Sequence, residues 1–202
     1  MANIINPIVI ELPIDEVTGY LEGLLIGLGT ECTINEIPTR VMMSDLTKTY
    51  NNIEQNSKQV VVSKSVNVKR GDPVAFPDGR TAIVYTMPND DVVSYSVRFL
   101  MCNSLVRFTR KGNDIYDEET GDLLVDATEN EVLTDGFIEI MNSTSQEYDM
   151  GRTTRGNVRF TTYPDMDIKV GDVAHYEGKM YDVYHIDDIT EGRLSVTMKN
   201  RV

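Results

Sequence analysis

Apolar residues near the start of the chain recur with a helical period over residues 14–28. They stand at spacings of three and four, at Ile14, Val17, Leu21, Leu24, Leu25 and Leu28. Asp15 and Glu16 occupy the first turn, where the helix dipole favours acidic side chains, and Gly29 follows the last apolar position. The pattern predicts an amphipathic helix over about residues 14–28.

From Val60 onward the apolar period changes from helical to alternating. In "VVSYSVRFL", one face of a strand holds Val93, Tyr95, Val97 and Phe99, with serines and an arginine on the other. Similar runs follow at intervals of about 8–12 residues with turn residues between them, which is typical of all-β folds. We predict a mainly β protein, a small β-barrel or β-sandwich with long loops, preceded by an N-terminal helical segment.

This change of pattern divides the chain into an N-terminal segment, residues 1–60, and a β-rich domain, residues 61–202. Within the first segment, "VMMSDLTKTYNNIEQNSKQ", which begins at Val41, is polar with loose periodicity. For this stretch the pattern indicates a short helix that runs into a loop.

A strand-turn-strand pattern occurs twice in the β-rich domain, about a hundred residues apart. Lys69–Gly71–Asp72 and Lys169–Gly171–Asp172 stand at the same relative positions, and a glycine turn and an acidic turn follow each of them. The repeat predicts two related β-meanders, at about residues 64–100 and 164–200. Generic turn chemistry in short meanders is the alternative explanation.

Charge and chain segments restrict the partners that the protein is expected to have. The formal net charge is −13, which disfavours a nucleic-acid binder or an anionic membrane surface as partner. We see no signal peptide and no apolar run of the roughly 20 residues that a membrane helix needs. Cys32 and Cys102 lack metal spacing, and we expect two buried thiols, although a disulfide stays open.

A search for catalytic residues finds no set that indicates an enzyme. The two histidines, His175 and His185, fall in adjacent predicted strands, where ordinary sheet positions are one interpretation and a facing metal pair the other. Phosphate-loop, nucleophile-elbow and zinc-spacing motifs do not occur in the sequence. We therefore predict a protein that is not an enzyme, with no cofactor and no metal.

Two sets of residues are candidate interface positions. Gly19, Gly23 and Gly27 recur every four residues on the predicted helix, so they either allow close packing against another subunit or are incidental. The stretch "MGRTTRGNVRF" contains Arg152, Arg155 and Arg159 in an otherwise acidic chain. Such a basic loop either binds phosphate or a partner's carboxylates, or is simply solvated.

One longer stretch resembles a known family. "RFLMCNSLVRF", from Arg98 to Phe108, resembles a Cys-Asn-x-x-Leu-Arg-aromatic strand of structural proteins from the head–tail junction of tailed bacteriophages. The Lys-x-Gly-Asp turn before it fits the same pattern. So do the later elements, which are Asn142, Thr153–Thr154, Arg159–Phe160, Tyr181–Asp182–Val183 and Asp187–Asp188. The resemblance covers about residues 65–200.

The resemblance implies a virion component that is assembled in the host cytoplasm as a head–tail connector, head-closure or neck protein. It implies a homo-oligomeric ring that contacts the portal or its adaptor on one side and tail proteins on the other. DNA would pass through the lumen without sequence-specific binding, and the negative charge suits a channel wall that does not retain DNA. The alternative is another phage tail or receptor-binding β-module that binds a ligand or carbohydrate.

Overall fold

The protein consists of an N-terminal helix followed by two closed β-barrels in tandem. The computed structural model describes residues 13–46, 52–112, 115–116, 123–125, 129–141, 157–188 and 192–201. The predicted mainly β fold and its N-terminal helix are confirmed, and the sheets close into barrels and do not form a sandwich.

The first barrel closes through an antiparallel pairing between its third strand and its last strand. Its strands are β1 (Thr30–Ile34), β2 (Ile37–Asp45), β3 (Ser57–Ser63), β4 (Pro73–Ala75), β5 (Thr81–Val84), the short β6 (Asn89–Asp90) and β7 (Ser94–Met101). Around the barrel the order is β1-β2-β3-β7-β5-β4, with β6 added beside β7. Alternate side chains such as Ile34, Val60 and Phe99 point inward and are fully buried in the barrel core.

The second barrel has its own apolar core, in which Phe108 and Phe160 pack with ring centroids 5.7 Å apart. Its strands are β8 (Ser104–Lys111), β11 (Glu129–Ile140), β12 (Asn157–Thr162), β13 (Val173–Tyr176), β14 (Lys179–Asp187) and β15 (Leu194–Asn200). Between β8 and β11, β9 (Ile115–Tyr116) and β10 (Leu123–Val125) form a separate two-stranded ribbon.

The helix α1 (Ile14–Leu28) covers part of the first barrel, and its bounds agree with the sequence prediction. It packs against β2 and β3. Leu25 is buried and Val17, Leu21 and Leu24 are partly buried, whereas the other apolar residues of the helix face outward. The helix therefore uses only part of its apolar surface within the chain.

The two barrels share one strand order. Around the second barrel the order is β8-β11-β12-β15-β14-β13. If the strands of each barrel are numbered along the chain, without β6, both barrels have the order first, second, third, sixth, fifth, fourth. The structural repeat therefore extends over the whole barrel, including three strands that precede each Lys-x-Gly-Asp turn.

The Lys-x-Gly-Asp turns of the two barrels also make the same hydrogen bonds. The Gly71 N–H donates to the Val84 carbonyl (2.8 Å), and the Gly171 N–H donates to the Val183 carbonyl (2.9 Å). Both glycines have positive φ, +93° and +96°, a region that L-residues rarely adopt. A shared backbone conformation therefore explains the shared sequence.

A nearly continuous strand connects the barrels, because β7 ends at Met101 and β8 begins at Ser104. The Cys102 N–H donates to the Thr81 carbonyl of the first barrel (2.9 Å), and the Asn103 N–H donates to the Gly136 carbonyl of the second (3.0 Å). The pair Cys102–Asn103 is thus the joint between the barrels, with one residue bonded to each.

Strands in residues 30–45 were missed from the sequence. The pattern from Val41 predicts a short helix running into a loop, but β2 continues to Asp45, and among the described residues of this stretch only the four-residue α2 (Asn52–Gln55) is helical. Strands β1 and β2 lie within residues 1–60 and pair with strands on both sides of that predicted division. Only Val41 is fully buried in β2, so the alternation there is weak.

Candidate functional site

The predicted glycine stripe lies on the outer surface of helix α1. A Cβ atom added at Gly19, Gly23 or Gly27 would meet nothing within 4 Å, so no described part of the chain packs against this stripe. Tyr20 and Ile26 flank it and are 71% and 69% exposed. Large exposed apolar side chains grouped beside glycines form a smooth surface that suits a partner.

Acidic side chains border this outer helix surface. Asp15 precedes Gly19 by four residues, and Glu16 precedes Gly23 by seven, so each pair lies on one side of the helix. Both carboxylates are exposed. We call the surface formed by Asp15, Glu16, Gly19, Tyr20, Gly23, Ile26 and Gly27 the helix face.

A second exposed apolar surface lies on the outside of the second barrel. Leu105 and Leu133 are 56% and 58% exposed, and with Met180 they line a groove of about 480 Å³. Strand register explains the groove, because Leu133 stands opposite Arg107 and His175 stands opposite both Arg107 and Met180. We call this surface the barrel groove.

The barrel groove has a mixed charge. Arg107 and Lys179 line it together with Glu177, and Arg107 also lies 3.7 Å from Glu131. The histidine in the groove, His175, is within hydrogen-bond distance of Thr109, 3.1 Å from Nε2 to Oγ1. The groove therefore combines apolar side chains with two cations and one carboxylate at its margin.

The predicted arginine set is only partly placed. Arg159 lies on β12, where its side chain lines a polar cleft between the two barrels. Arg152 and Arg155 lie outside the described residues. The structure therefore assigns a position to one of the three arginines.

The two histidines are not cross-strand neighbours. His175 stands opposite Met180, and His185 stands opposite Thr197 on a different strand. The alternative of a facing metal pair is therefore wrong. Among the residues that the structure describes, no group of three or more His, Cys, Asp or Glu side chains is arranged to hold a metal ion.

Both cysteines are free thiols in different parts of the molecule. Cys32 belongs to the core of the first barrel, and burial raises the pKa of its thiol to about 11. Cys102 lies at the joint, where burial raises its thiol pKa to about 11 as well. A high pKa keeps a thiol protonated and a poor nucleophile at neutral pH.

Comparisons with known proteins do not assign the chain to a family. Neither the protein-family models nor the curated proteins contain a match to this sequence. In the described part of the chain, no helix has the length and apolar character needed to cross a bilayer.

The sequence singles out the glycines Gly19, Gly23 and Gly27 of the helix face but does not predict the barrel groove. Leu105, Leu133 and Met180 belong to strands whose alternation predicts an inner apolar face, and these three residues lie on the outer face of those strands. The sequence does hold one indication of the groove: apolar residues also occupy alternate strand positions whose side chains point away from the core, as Leu105 does next to the buried Val106. Only the strand pairing shows that they meet.

Proposed function

We propose that this protein is a structural component of a tailed-phage virion, a subunit of a ring at the head–tail junction that joins the portal or its adaptor to the tail. The observation that supports the proposal best is that the resembling segment, Arg98 to Phe108, spans the joint between the barrels. Asn103 there donates its side-chain N–H to the Ile138 carbonyl (3.1 Å) and accepts from the Ile138 N–H (2.8 Å). The residues that carry the resemblance therefore lie at the connection between the two barrels and contribute its hydrogen bonds.

We further propose that the ring forms when the helix face of one copy binds the barrel groove of the next. The two surfaces differ and lie on different parts of the chain. A contact between different surfaces of identical subunits is head-to-tail, and it generates a ring where the rotation closes. One chain therefore has both halves of the contact that a ring needs.

Both surfaces offer exposed apolar area, and charges of opposite sign border them. Gly23 leaves the helix face flat, so its backbone can approach the groove, and Tyr20 and Ile26 supply apolar area for Leu105 and Leu133. The bordering carboxylates of the helix face suit the cations of the groove, Arg107 and Lys179, because opposite charges steer association and fix the register.

The acidic character of the chain agrees with a channel component. With a net charge of −13, a ring of copies repels DNA across its lumen, and DNA then passes without being held. A ring whose inner surface is net basic would contradict this part of the proposal.

The first experiment measures assembly of the purified full chain. Light scattering after size exclusion, together with electron microscopy, is expected to show closed rings at high protein concentration. Gly23→Arg places a long cation on the helix face and should give monomers. Lys179→Glu should weaken the ring by reversing a charge in the groove.

The matched control is Val92→Arg, which adds the same charge at an exposed apolar residue outside both surfaces. This variant should assemble like the unmodified protein. Equal loss of rings in Gly23→Arg and Val92→Arg would contradict the helix-face contact.

A second experiment tests the location of the protein. Mass spectrometry of purified phage particles should detect the chain among the structural proteins, and particles lacking it should have filled heads without attached tails. A chain that is absent from the particles, or a strict monomer that binds neither portal nor tail proteins, would contradict the proposed function.

A further inference from the structure

A polar cleft of about 180 Å³ lies between the two barrels. The first barrel and the short helix α2 contribute Tyr85 and Ile53, and the second barrel contributes the remaining wall. The cleft is distinct from the helix face and from the barrel groove, so the proposed ring contact does not account for it.

The wall from the second barrel is a regular grid of polar side chains on three neighbouring strands. Along one row, Arg159 on β12 stands opposite Thr197 on β15, and Thr197 stands opposite His185 on β14. Along the next row the order is Thr161, Ser195 and Asp187. Residues two apart on a strand share a face, so all six side chains point to the cleft.

The cleft has more cationic than anionic groups, although the whole chain is acidic. Arg159 and Arg193 both line it, and within the described residues neither guanidinium lies within 4.0 Å of a carboxylate. Asp187, the one acidic residue among the described residues of the wall, occupies the corner of the grid diagonally opposite Arg159. A guanidinium presents five N–H donors in a rigid fork that matches the geometry of a phosphate group.

Arg193 is held in place by an aromatic residue of the other barrel. Its Nη1 donates to the Tyr85 hydroxyl oxygen, and its guanidinium carbon lies 5.1 Å from the centroid of the Tyr85 ring. The Arg193 Nε is buried and has no hydrogen-bond acceptor among the described residues. Because the Tyr85 oxygen acts as an acceptor, its own O–H is available to donate.

Hydroxyl groups complete a wall that is rich in donors. Thr161, Ser195 and Thr197 are buried, and Thr197 stands between Arg159 and His185 in its row of the grid. A tetrahedral oxyanion has four oxygens and accepts from many donors at once, whereas a carboxylate has two. The cleft is several times the roughly 30 Å³ occupied by one water molecule, so an ion fits with some of its hydration.

We propose that the cleft between the barrels binds a phosphate group, as inorganic phosphate or as the terminal monoester of a small molecule, through Arg159, Arg193 and the Tyr85 hydroxyl. The bound phosphate gives the arginines a counter-ion and provides an acceptor beside the Arg193 Nε. Because it would contact both barrels, it also stabilises their relative position.

The test is isothermal titration of the full chain at constant ionic strength, with chloride exchanged for inorganic phosphate in one arm and for a nucleoside monophosphate in the other. Saturable binding in either arm is expected, and the arms distinguish the free ion from a monoester. Arg159→Gln and Arg193→Gln should each weaken binding about tenfold or more, the loss of a charge-assisted hydrogen bond.

Arg201→Gln is the matched control, because Arg201 lies outside the cleft and pairs with Asp182 at 3.4 Å. It should bind phosphate like the unmodified chain. If Arg193→Gln fails to fold, Arg159→Gln and Tyr85→Phe decide the question. The proposal would be overturned if phosphate at millimolar concentration showed no saturable binding. Equal weakening of binding by Arg201→Gln would also overturn it. So would arginine-dependent binding of a DNA duplex without binding of either small anion.

Discussion

Asp72 and Asp172 make the same hydrogen bond in two different barrels, but only Asp172 is also held by an arginine. Each carboxylate accepts from the backbone N–H of the lysine three residues earlier, at 2.7 Å for Lys69 and 2.8 Å for Lys169. The Asp172 carboxylate additionally accepts from Arg110, at 2.6 Å from Nε and 2.9 Å from Nη2. Within the described residues, the turn of the second barrel therefore has an ion pair that the turn of the first barrel lacks.

The difference between the two aspartates predicts unequal losses of stability. Asp172→Asn removes the charge that pairs with Arg110 at a side chain that is only 3% exposed, and it leaves Arg110 with Asp167 at 3.1 Å as its remaining carboxylate partner, so it should cost about 2–3 kcal/mol. Asp72→Asn removes no ion pair among the described residues and should cost about 1 kcal/mol. Urea unfolding followed separately for each barrel would measure both values, and equal losses would contradict the role of Arg110.

Gly71 and Gly171 provide a matched pair for testing the contact between the barrels. Both have positive φ, so alanine at either position costs about 1–2 kcal/mol in backbone strain. A Cβ at Gly71 would also lie 2.3 Å from the Gly192 carbonyl oxygen, whereas one at Gly171 would meet nothing within 4 Å.

We therefore expect Gly71→Ala to be clearly more destabilising than Gly171→Ala and to loosen the two barrels relative to each other. Thermal unfolding measures the first effect, and small-angle scattering measures the second. A similar effect of both variants on stability and on scattering would argue against the close approach of Gly71 to Gly192.

The glycine stripe of the helix face predicts opposite effects on the helix and on assembly. Gly23→Ala should stabilise the helix by about 1 kcal/mol, because alanine is the better helix former and the added methyl has free space. Hydrogen exchange of the amides in α1 should slow accordingly. The same methyl should weaken the proposed ring contact, which light scattering would detect.

The control for this prediction is Gly79→Ala. Gly79 also has open space around it, but its φ of +86° makes alanine unfavourable by about 1–2 kcal/mol. Faster exchange in Gly23→Ala than in the unmodified chain would show that the stripe is stabilised by contacts within the subunit.

The two thiols predict a pH dependence of stability on the alkaline side. Burial raises the pKa of Cys32 and of Cys102 from 9.0 to about 11, so the folded protein keeps these protons when the unfolded chain has lost them. The contribution of the two protonated thiols to the free energy of unfolding is complete below pH 9 and is lost as the pH rises toward 11.

Unfolding midpoints between pH 8 and pH 11 should therefore fall less in a Cys32→Ser, Cys102→Ser double variant than in the unmodified chain. Thiol reagents should label the native protein slowly at pH 8 and both cysteines quickly in urea. Fast labelling of Cys32 in the native protein would contradict the burial of its thiol.

Asn103 predicts a specific requirement for an amide at the joint. Asn103→Asp removes the donor to the Ile138 carbonyl and places a carboxylate oxygen near that oxygen, so it should destabilise more than Asn103→Ser. We expect a loss of about 1–2 kcal/mol at pH 7. The loss should shrink at low pH, where the aspartic acid can donate, and urea unfolding at pH 7 and pH 4 would test this.

Local patterns were sufficient to predict the helix and the repeated turn. The spacing of apolar residues gave the bounds of α1, because a helix requires only contacts between residues close in sequence. The Lys-x-Gly-Asp pattern was informative for a similar reason, since the positive φ of Gly71 and the hydrogen bond to Asp72 are both local. The pattern did not show that the repeat includes three earlier strands.

Features that depend on long-range pairing were beyond the sequence. Barrel closure needs β3 to pair with β7, which is distant along the chain. The cleft needs Arg159 and His185 on two strands that both pair with β15. The arginine stretch drew attention to Arg159, but nothing local associates it with Arg193 or with Tyr85 of the other barrel.

The shared strand order of the barrels has a consequence for how an assembly is counted. A closed ring of these chains would contain twice as many barrels of this strand order as subunits. A neighbouring component that recognises features common to both barrels, such as the Gly71 and Gly171 turns, would find two positions per subunit. One that recognises the helix face would find one, and the same ring can thereby join layers whose copy numbers differ.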